Sequence, residues 1–145
     1  MKQAVVRIIP EPLYSQVLEI VLKITNASEA DDSASRAAAL LELQKLYEQL
    51  EASGSSDPFV TETLADYTED DQQAAELYEL AISQSASFSG EPTHTKKIAL
   101  AIRRIDLSES IVARHLLVQA REEANTFGDD DSVIEADELL APMLE

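Results

Sequence analysis

Residues 74–88 read AAELYELAISQSASF and residues 113–127 read ARHLLVQAREEANTF, so a pattern of small and large apolar residues recurs after 39 positions. A small residue, a large one four positions later and a small one three further lie on one stripe of an α-helix. The small residues let a neighbouring helix approach, and the large one fills the space beside them. The repeat therefore predicts stacked helical hairpins. The recurring pairs are Ala74 with Ala113, Leu77 with Leu116, Tyr78 with Leu117, Ala81 with Ala120, and Phe88 with Phe127.

Two further segments repeat the pattern less completely. Ala39, Leu43 and Leu46 form a fainter copy 35 residues before the first one. We expect about three hairpins, because one hairpin cannot bury its apolar stripe alone. An unrelated helical bundle with a coincidental repeat is the alternative. Upstream of the two clear copies, the 39-residue spacing pairs Phe59 with Ile98 and Thr63 with Ile102.

The composition predicts an all-α protein. The chain has 145 residues, which favours a single domain, and only three Gly and five Pro interrupt it. Asp57 followed by Pro58 is typical of a helix start. We expect helices near 12–26, 32–52, 58–67, 70–88, 94–107, 109–127 and 129–143. These divide the domain 1–145 into an extended segment (1–11), three hairpins (12–56, 57–92 and 93–128) and a C-terminal capping helix (129–145).

The second helices of the two clear copies resemble those of the tetratricopeptide-repeat (TPR) superfamily. The resemblance rests on Ala113, Leu117 and Ala120 and on their counterparts 39 residues earlier, and it covers about residues 57–128. The common repeat of that superfamily is about 34 residues long. The resemblance implies stacked antiparallel helical hairpins in a non-enzymatic scaffold that binds peptides or proteins on its concave face.

The charge is strongly negative and unevenly distributed. Twenty-eight Asp and Glu against 11 Lys and Arg give a net charge of −17, which argues against a general nucleic-acid binder. Residues 26–91 carry −13, whereas residues 92–121 carry +4. We therefore predict a basic protein or peptide as the partner. The carboxylates predicted to meet it are Glu62, Asp66, Glu69, Asp70, Asp71, Glu76 and Glu79.

The basic residues Lys96, Lys97, Arg103 and Arg104 lie in two pairs seven positions apart, on one side of a predicted helix. Two interpretations are open. They capture an acidic peptide terminus, or they neutralise acidic neighbours within the fold. The second is favoured. The carboxylate-binding proteins of the TPR superfamily also use Asn beside their basic residues, and this chain has only Asn26 and Asn125.

The sequence offers little catalytic or metal-binding chemistry. It has no Cys and only two His, and it contains no phosphate-binding glycine loop. Glu91 and His94 have the Glu-x-x-His spacing of di-iron sites, but such sites need a second motif. The acidic run 129–131 lacks the closing Glu of a calcium loop. We therefore expect no enzyme activity, no metal and no cofactor.

The first residues raise the question of self-assembly. Residues 4–9 read AVVRII and favour an extended segment, which either packs flat on the helices or pairs with a second copy in a homodimer. Arg7 and Pro10 interrupt the only apolar run near the start, so we expect neither an export signal nor a membrane segment, and a cytoplasmic location.

The function predicted from the sequence is non-enzymatic protein binding. In its most concrete form, the acidic surface covers a basic partner, as an immunity or antitoxin-type inhibitor does. The alternative is a self-assembling structural or regulatory scaffold with TPR-like repeats.

Overall fold

The computed structural model describes residues 5–144, and within them the chain folds into seven α-helices without a β-strand. The all-α prediction is therefore confirmed. The helices are α1 (Leu13–Glu29), α2 (Ser33–Ala52), α3 (Pro58–Asp66), α4 (Asp71–Ser85), α5 (His94–Asp106), α6 (Ser110–Phe127) and α7 (Asp130–Leu140), with a final 3-10 turn at Ala141–Leu144.

The helices pack in the order of the chain. α1 packs on α2, α3 on α4 and α5 on α6, which gives three hairpins. The second and third hairpins meet through α4 and α5, whereas the contact between α2 and α3 is smaller. α7 packs on α6 and touches α5, so it closes the stack as predicted.

The repeat in the second helices is present in the structure. Ala74 and Ala113 are each the fourth residue of their helix, and neither is exposed to solvent. Ala81 and Ala120 are likewise fully buried. α4 and α6 therefore use the same small residues at equivalent positions, which is compatible with a helical repeat.

The first helices repeat at a different spacing from the one predicted. α3, α5 and α7 begin 36 residues apart, at Pro58, His94 and Asp130, and not 39. The predicted pairing of Thr63 with Ile102 is therefore wrong, since Thr63 is buried and Ile102 is exposed, and that of Phe59 with Ile98 fails with it. The reason is that α5 is longer than α3, and this moves the start of α6 by three positions. The residues that do correspond are Leu64, Leu100 and Ala136, all buried.

Four aspartates fix where helices begin, and the first of them, Asp32, caps α2. The Asp57 carboxylate accepts the backbone N–H of Phe59 at 2.9 Å, and Pro58 follows it, as predicted. Asp70 and Asp129 cap α4 and α7 in the same way. These caps satisfy donors that have no partner inside the helix.

Residues 5–9, which we call the strap, cross the junction of the second and third hairpins. The backbone N–H of Arg7 donates to the carbonyl of Gly90 at 2.8 Å. Val5 and Ile8 are 85% and 89% exposed. The strap therefore lies on the helices at Arg7 while its outward side chains meet solvent. Residue 4 and the rest of the N-terminus lie outside the described residues, as does Glu145.

Among the described helices, none combines the length and the apolar character that crossing a membrane requires.

Candidate functional site

The seven predicted acidic residues lie on α3, α4 and the turn between them. Glu62 and Asp66 belong to α3, and Glu69 lies in the turn. Asp70 caps α4, whose first residue is Asp71. Glu76 and Glu79 lie farther along α4, so the fold gathers four of the seven around the turn and separates the others from it.

Cations on α5 neutralise three of these carboxylates. The nitrogen of Lys96 lies 3.3 Å from a carboxylate oxygen of Glu62. Arg103 pairs with Asp71 at 3.0 Å. Arg104 pairs with Glu79. The neutralising interpretation of the basic residues of α5 is thus confirmed, and an acidic peptide terminus would have to displace these internal contacts.

Three carboxylates beside the α3–α4 turn have no such cation. Among residues 5–144, no Lys, Arg or His nitrogen lies at ion-pair distance from Asp66, Glu69 or Asp70. We call this group the acidic turn. None of the three is therefore neutralised by a direct ion pair, although Arg103 binds the same turn through the carbonyls of Thr68 and Glu69.

Next to the acidic turn, α1 and α3 leave an open apolar groove of about 260 Å³, which we call the front groove. Tyr14 stacks on Phe59 across it, with ring centres 5.9 Å apart. Leu18 is 45% exposed along its wall. The groove is lined by Tyr14, Val17, Leu18, Val21, Phe59, Thr63, Asp66 and Tyr67.

Sequence reasoning missed the apolar part of this groove. The signal was present in α1, which carries two apolar stripes. Val17, Ile20 and Ile24 face the core, and the second stripe, Tyr14 and Leu18, is exposed. A helix with two apolar stripes has more apolar surface than one neighbour can cover.

Asp66 connects the groove to the acidic turn. The buried hydroxyl of Tyr78 donates to its carboxylate at 2.5 Å. One side of Asp66 is open to solvent, but protein atoms surround the rest of the group. This desolvation raises the pKa of Asp66 to about 6, against the opposing effects of the Tyr78 hydrogen bond and of Arg103. A nearby cation would favour its ionised form.

The residues weighed for metal binding do not converge. His94 Nε2 lies 2.9 Å from Asp129, whereas Glu91 contacts Arg7 and Lys96. His115 is exposed on α6. Within residues 5–144, no three His, Cys, Asp or Glu side chains are grouped closely enough to hold a metal ion.

Comparison with protein-family models, with curated proteins and with solved structures finds no match to this chain.

Proposed function

We propose that this chain is a non-enzymatic binding protein with a TPR-like stack of hairpins, whose acidic turn and front groove engage a basic protein. The observation that supports this most directly is the juxtaposition of three unpaired carboxylates with an open apolar groove. Of the four other predicted carboxylates, Glu62, Asp71 and Glu79 already have an internal cation. The unpaired group is therefore where an external cation gains most.

The two parts of the site contribute differently to binding. A net charge of −17 attracts a basic partner and raises its association rate by about 10- to 1,000-fold at low salt. Charge alone gives little lasting affinity, because exposed ion pairs are weak. The front groove adds a place where an apolar side chain can be buried, as in the central residues of most interfaces. An inhibitor that covers the cationic site of another protein, of the immunity or antitoxin type, is the most concrete form of this proposal.

The experiment is affinity capture from an extract of the source organism at low and high salt. The test variant is Asp66→Asn combined with Glu69→Lys. Its control is Glu135→Gln combined with Glu122→Lys, which changes the net charge equally at exposed carboxylates on α7 and α6. We expect basic proteins to be retained by wild type and control, and about tenfold less by the test variant. Equal retention by all three proteins would place the binding surface elsewhere.

A second candidate function is self-assembly, in which two copies pair through exposed apolar surface. Its support is a hollow of about 550 Å³ beside α7, lined by Ile105, Ile111, Leu139 and Met143 among others, together with the 78% exposure of Ile111. Light scattering at micromolar concentration tests it. A dimer that Ile111→Glu converts to a monomer supports this function, and a monomeric wild type contradicts it.

A further inference from the structure

The strap places one side chain, Arg7, into the interior of the molecule. Its guanidinium donates two hydrogen bonds to the Asp57 carboxylate, at 2.5 and 3.1 Å, and a third to Glu91 at 2.7 Å. The same group lies over the ring of Phe88, 4.1 Å from its centre. Arg7 is thus bound by two carboxylates and an aromatic face, and its side chain is only 10% exposed.

The rest of the strap contributes little to this contact. The only backbone hydrogen bond found between residues 5–9 and the helical hairpins is the one from Arg7 to Gly90. Val5, Val6 and Ile8 point into solvent. Apart from the partly buried Ile9, the strap is therefore held by Arg7, and its departure would expose few other groups.

The receiving side, in contrast, is part of the helical framework. Asp57 is 5% exposed and also caps α3 through Phe59. Glu91 is fixed from its other side by the buried Lys96, whose nitrogen lies 2.9 Å away. Lys96 in turn meets Glu62. Without Arg7, Asp57 has no cation and Glu91 shares Lys96 with Glu62, so the framework keeps an unbalanced negative charge.

The shape of the pocket selects a guanidinium over an ammonium group. Two parallel bonds to one carboxylate and stacking on an aromatic face both need a planar, forked cation. Contact with an aromatic face also favours Arg. The carbonyl of Gly90 accepts the backbone N–H of the same residue, so the pocket also binds the main chain beside the guanidinium, as the edges that bind extended peptides do.

We propose that Asp57, Glu91 and Phe88 form a receptor for an arginine side chain, which Arg7 occupies within the chain and which an arginine of the basic partner occupies when the strap is released. This inference rests on the proposed function for the nature of the partner. The strap is then an internal competitor, and the partner's arginine lies in an extended segment whose neighbouring residues are not recognised by the pocket.

The first test uses Arg7→Ala, which empties the pocket by a change at a residue that lies outside the helices. A capped peptide with the sequence of residues 5–9 is added, and the melting temperature is recorded. We expect the peptide to raise the melting temperature of Arg7→Ala and to leave that of wild type unchanged. The same peptide with Lys in place of Arg should have at most a tenth of the effect. Methylguanidinium against methylammonium, at equal millimolar concentration, repeats this comparison without a backbone.

The second test measures competition. The affinity of a capped arginine-containing peptide, labelled with a fluorophore, is compared between wild type and Arg7→Ala. Because the strap must leave wild type before the peptide binds, we expect at least tenfold tighter binding to Arg7→Ala. Should Arg7→Ala be partly unfolded, Arg7→Lys keeps the charge and is expected to lie between the two proteins.

Equal affinities for wild type and Arg7→Ala, or equal effects of the Arg and Lys peptides, would overturn the arginine receptor. A wild-type protein that exchanges straps between two copies, seen as a dimer that Arg7→Ala abolishes, would overturn it as well. Neither result affects the proposed function, which is tested by the acidic-turn variant in the capture experiment. If the acidic-turn variant retained as much basic protein as wild type while Arg7→Ala still bound the arginine peptide, only the acidic turn would be rejected.

Discussion

Asp57 and Asp129 occupy equivalent places in the fold and bind different side chains. They lie 72 residues apart, which is twice the 36-residue spacing, each directly before a first helix, α3 or α7, and each accepts a backbone N–H of that helix. Asp57 also binds Arg7 at 2.5 Å, and Asp129 binds His94 Nε2 at 2.9 Å. The same capping position therefore binds a distant segment in each case, the strap at Asp57 and α5 at Asp129.

The two sites differ in burial and in the side chain that the aspartate binds. The side chain of Asp57 is 6% exposed, whereas that of Asp129 is 36% exposed. The guanidinium of Arg7 is a planar, permanently charged fork, whereas His94 offers a single ring nitrogen to Asp129. His94 is itself buried, and its Nδ1 has no hydrogen-bond partner in the described part of the chain. The comparison shows that a local capping rule fixes the position of a carboxylate, and that long-range partners decide how much it stabilises.

The largest expected effect is that of Arg7→Ala. It leaves the buried Asp57 without its cation, so we expect a loss of about 3 kcal/mol in the free energy of unfolding at pH 7. Urea unfolding measures it. Arg121→Ala is the control, because Arg121 and Asp137 form an exposed pair for which no measurable loss is expected. Equal losses in both variants would show that burial does not matter here.

His94→Ala should cost less, about 2 kcal/mol, measured in the same way. The loss comes from the buried ring and its contact with Phe127, whose ring centre lies 5.5 Å away. Asp129 is partly exposed and can turn to water when the imidazole is removed. A loss larger than that of Arg7→Ala would mean that the contacts at Asp129 stabilise the fold more than those at Asp57.

Exchange of each capping Asp for Asn separates capping from charge. Asn is as good a cap as Asp, so Asp129→Asn should cost about 0.5 kcal/mol or less. Asp57→Asn should cost about 1.5 kcal/mol, because a charged acceptor of Arg7 becomes neutral. Thermal unfolding at pH 7 compares them, and equal shifts in melting temperature would indicate that both residues act as caps alone.

The smallest expected effects concern pH. Hydrogen bonds from Ser132 and His94 lower the pKa of Asp129, so its stabilisation is present above its ordinary value of 3.8 and is lost as pH falls through the lower folded value. Asp66 has the opposite sign. Its pKa is raised to about 6, so the folded state loses stability as pH rises from about 4 to 6.

Unfolding free energies between pH 3 and 7 measure both effects. Asp66→Asn should remove the decline between pH 4 and 6, and Asp129→Asn should remove only a decline below about pH 4. If Asp66→Asn changed stability only below pH 4, or Asp129→Asn only between pH 4 and 6, the aspartate assigned to that pH range would not be the group that titrates there.

Much of the helical framework could be predicted because its causes are local. The start at Asp57 and Pro58 depends on residues next to each other in the chain, and the match of Ala74 with Ala113 reflects packing at one fixed spacing. Those predictions need no knowledge of distant contacts. The acidic turn was predicted in part, because charge density is visible in the sequence.

The rest depended on partners far apart in the chain. Lys96 was expected to neutralise acidic neighbours, but its burial was not predicted: it is 1% exposed, since Glu91 and the carbonyl of Pro92 reach it from the preceding loop. The 36-residue repeat of the first helices was hidden because Val60, Lys96 and Ser132 occupy one buried position with three unrelated chemistries. The apolar wall of the front groove required knowing that α3 leaves one stripe of α1 uncovered.

The contact at Gly90 lets the strap tolerate substitutions of its own residues while it requires glycine at position 90. With φ at +78°, a Cβ at this position would lie 2.5 Å from the carbonyl oxygen of Val5, which is too close for any side chain. The crossing is made by main-chain atoms, so it does not depend on which side chains Val5 and Ile8 carry. Mutational scanning should therefore find that residues on either side of Arg7 are freely replaceable, whereas position 90 accepts only glycine.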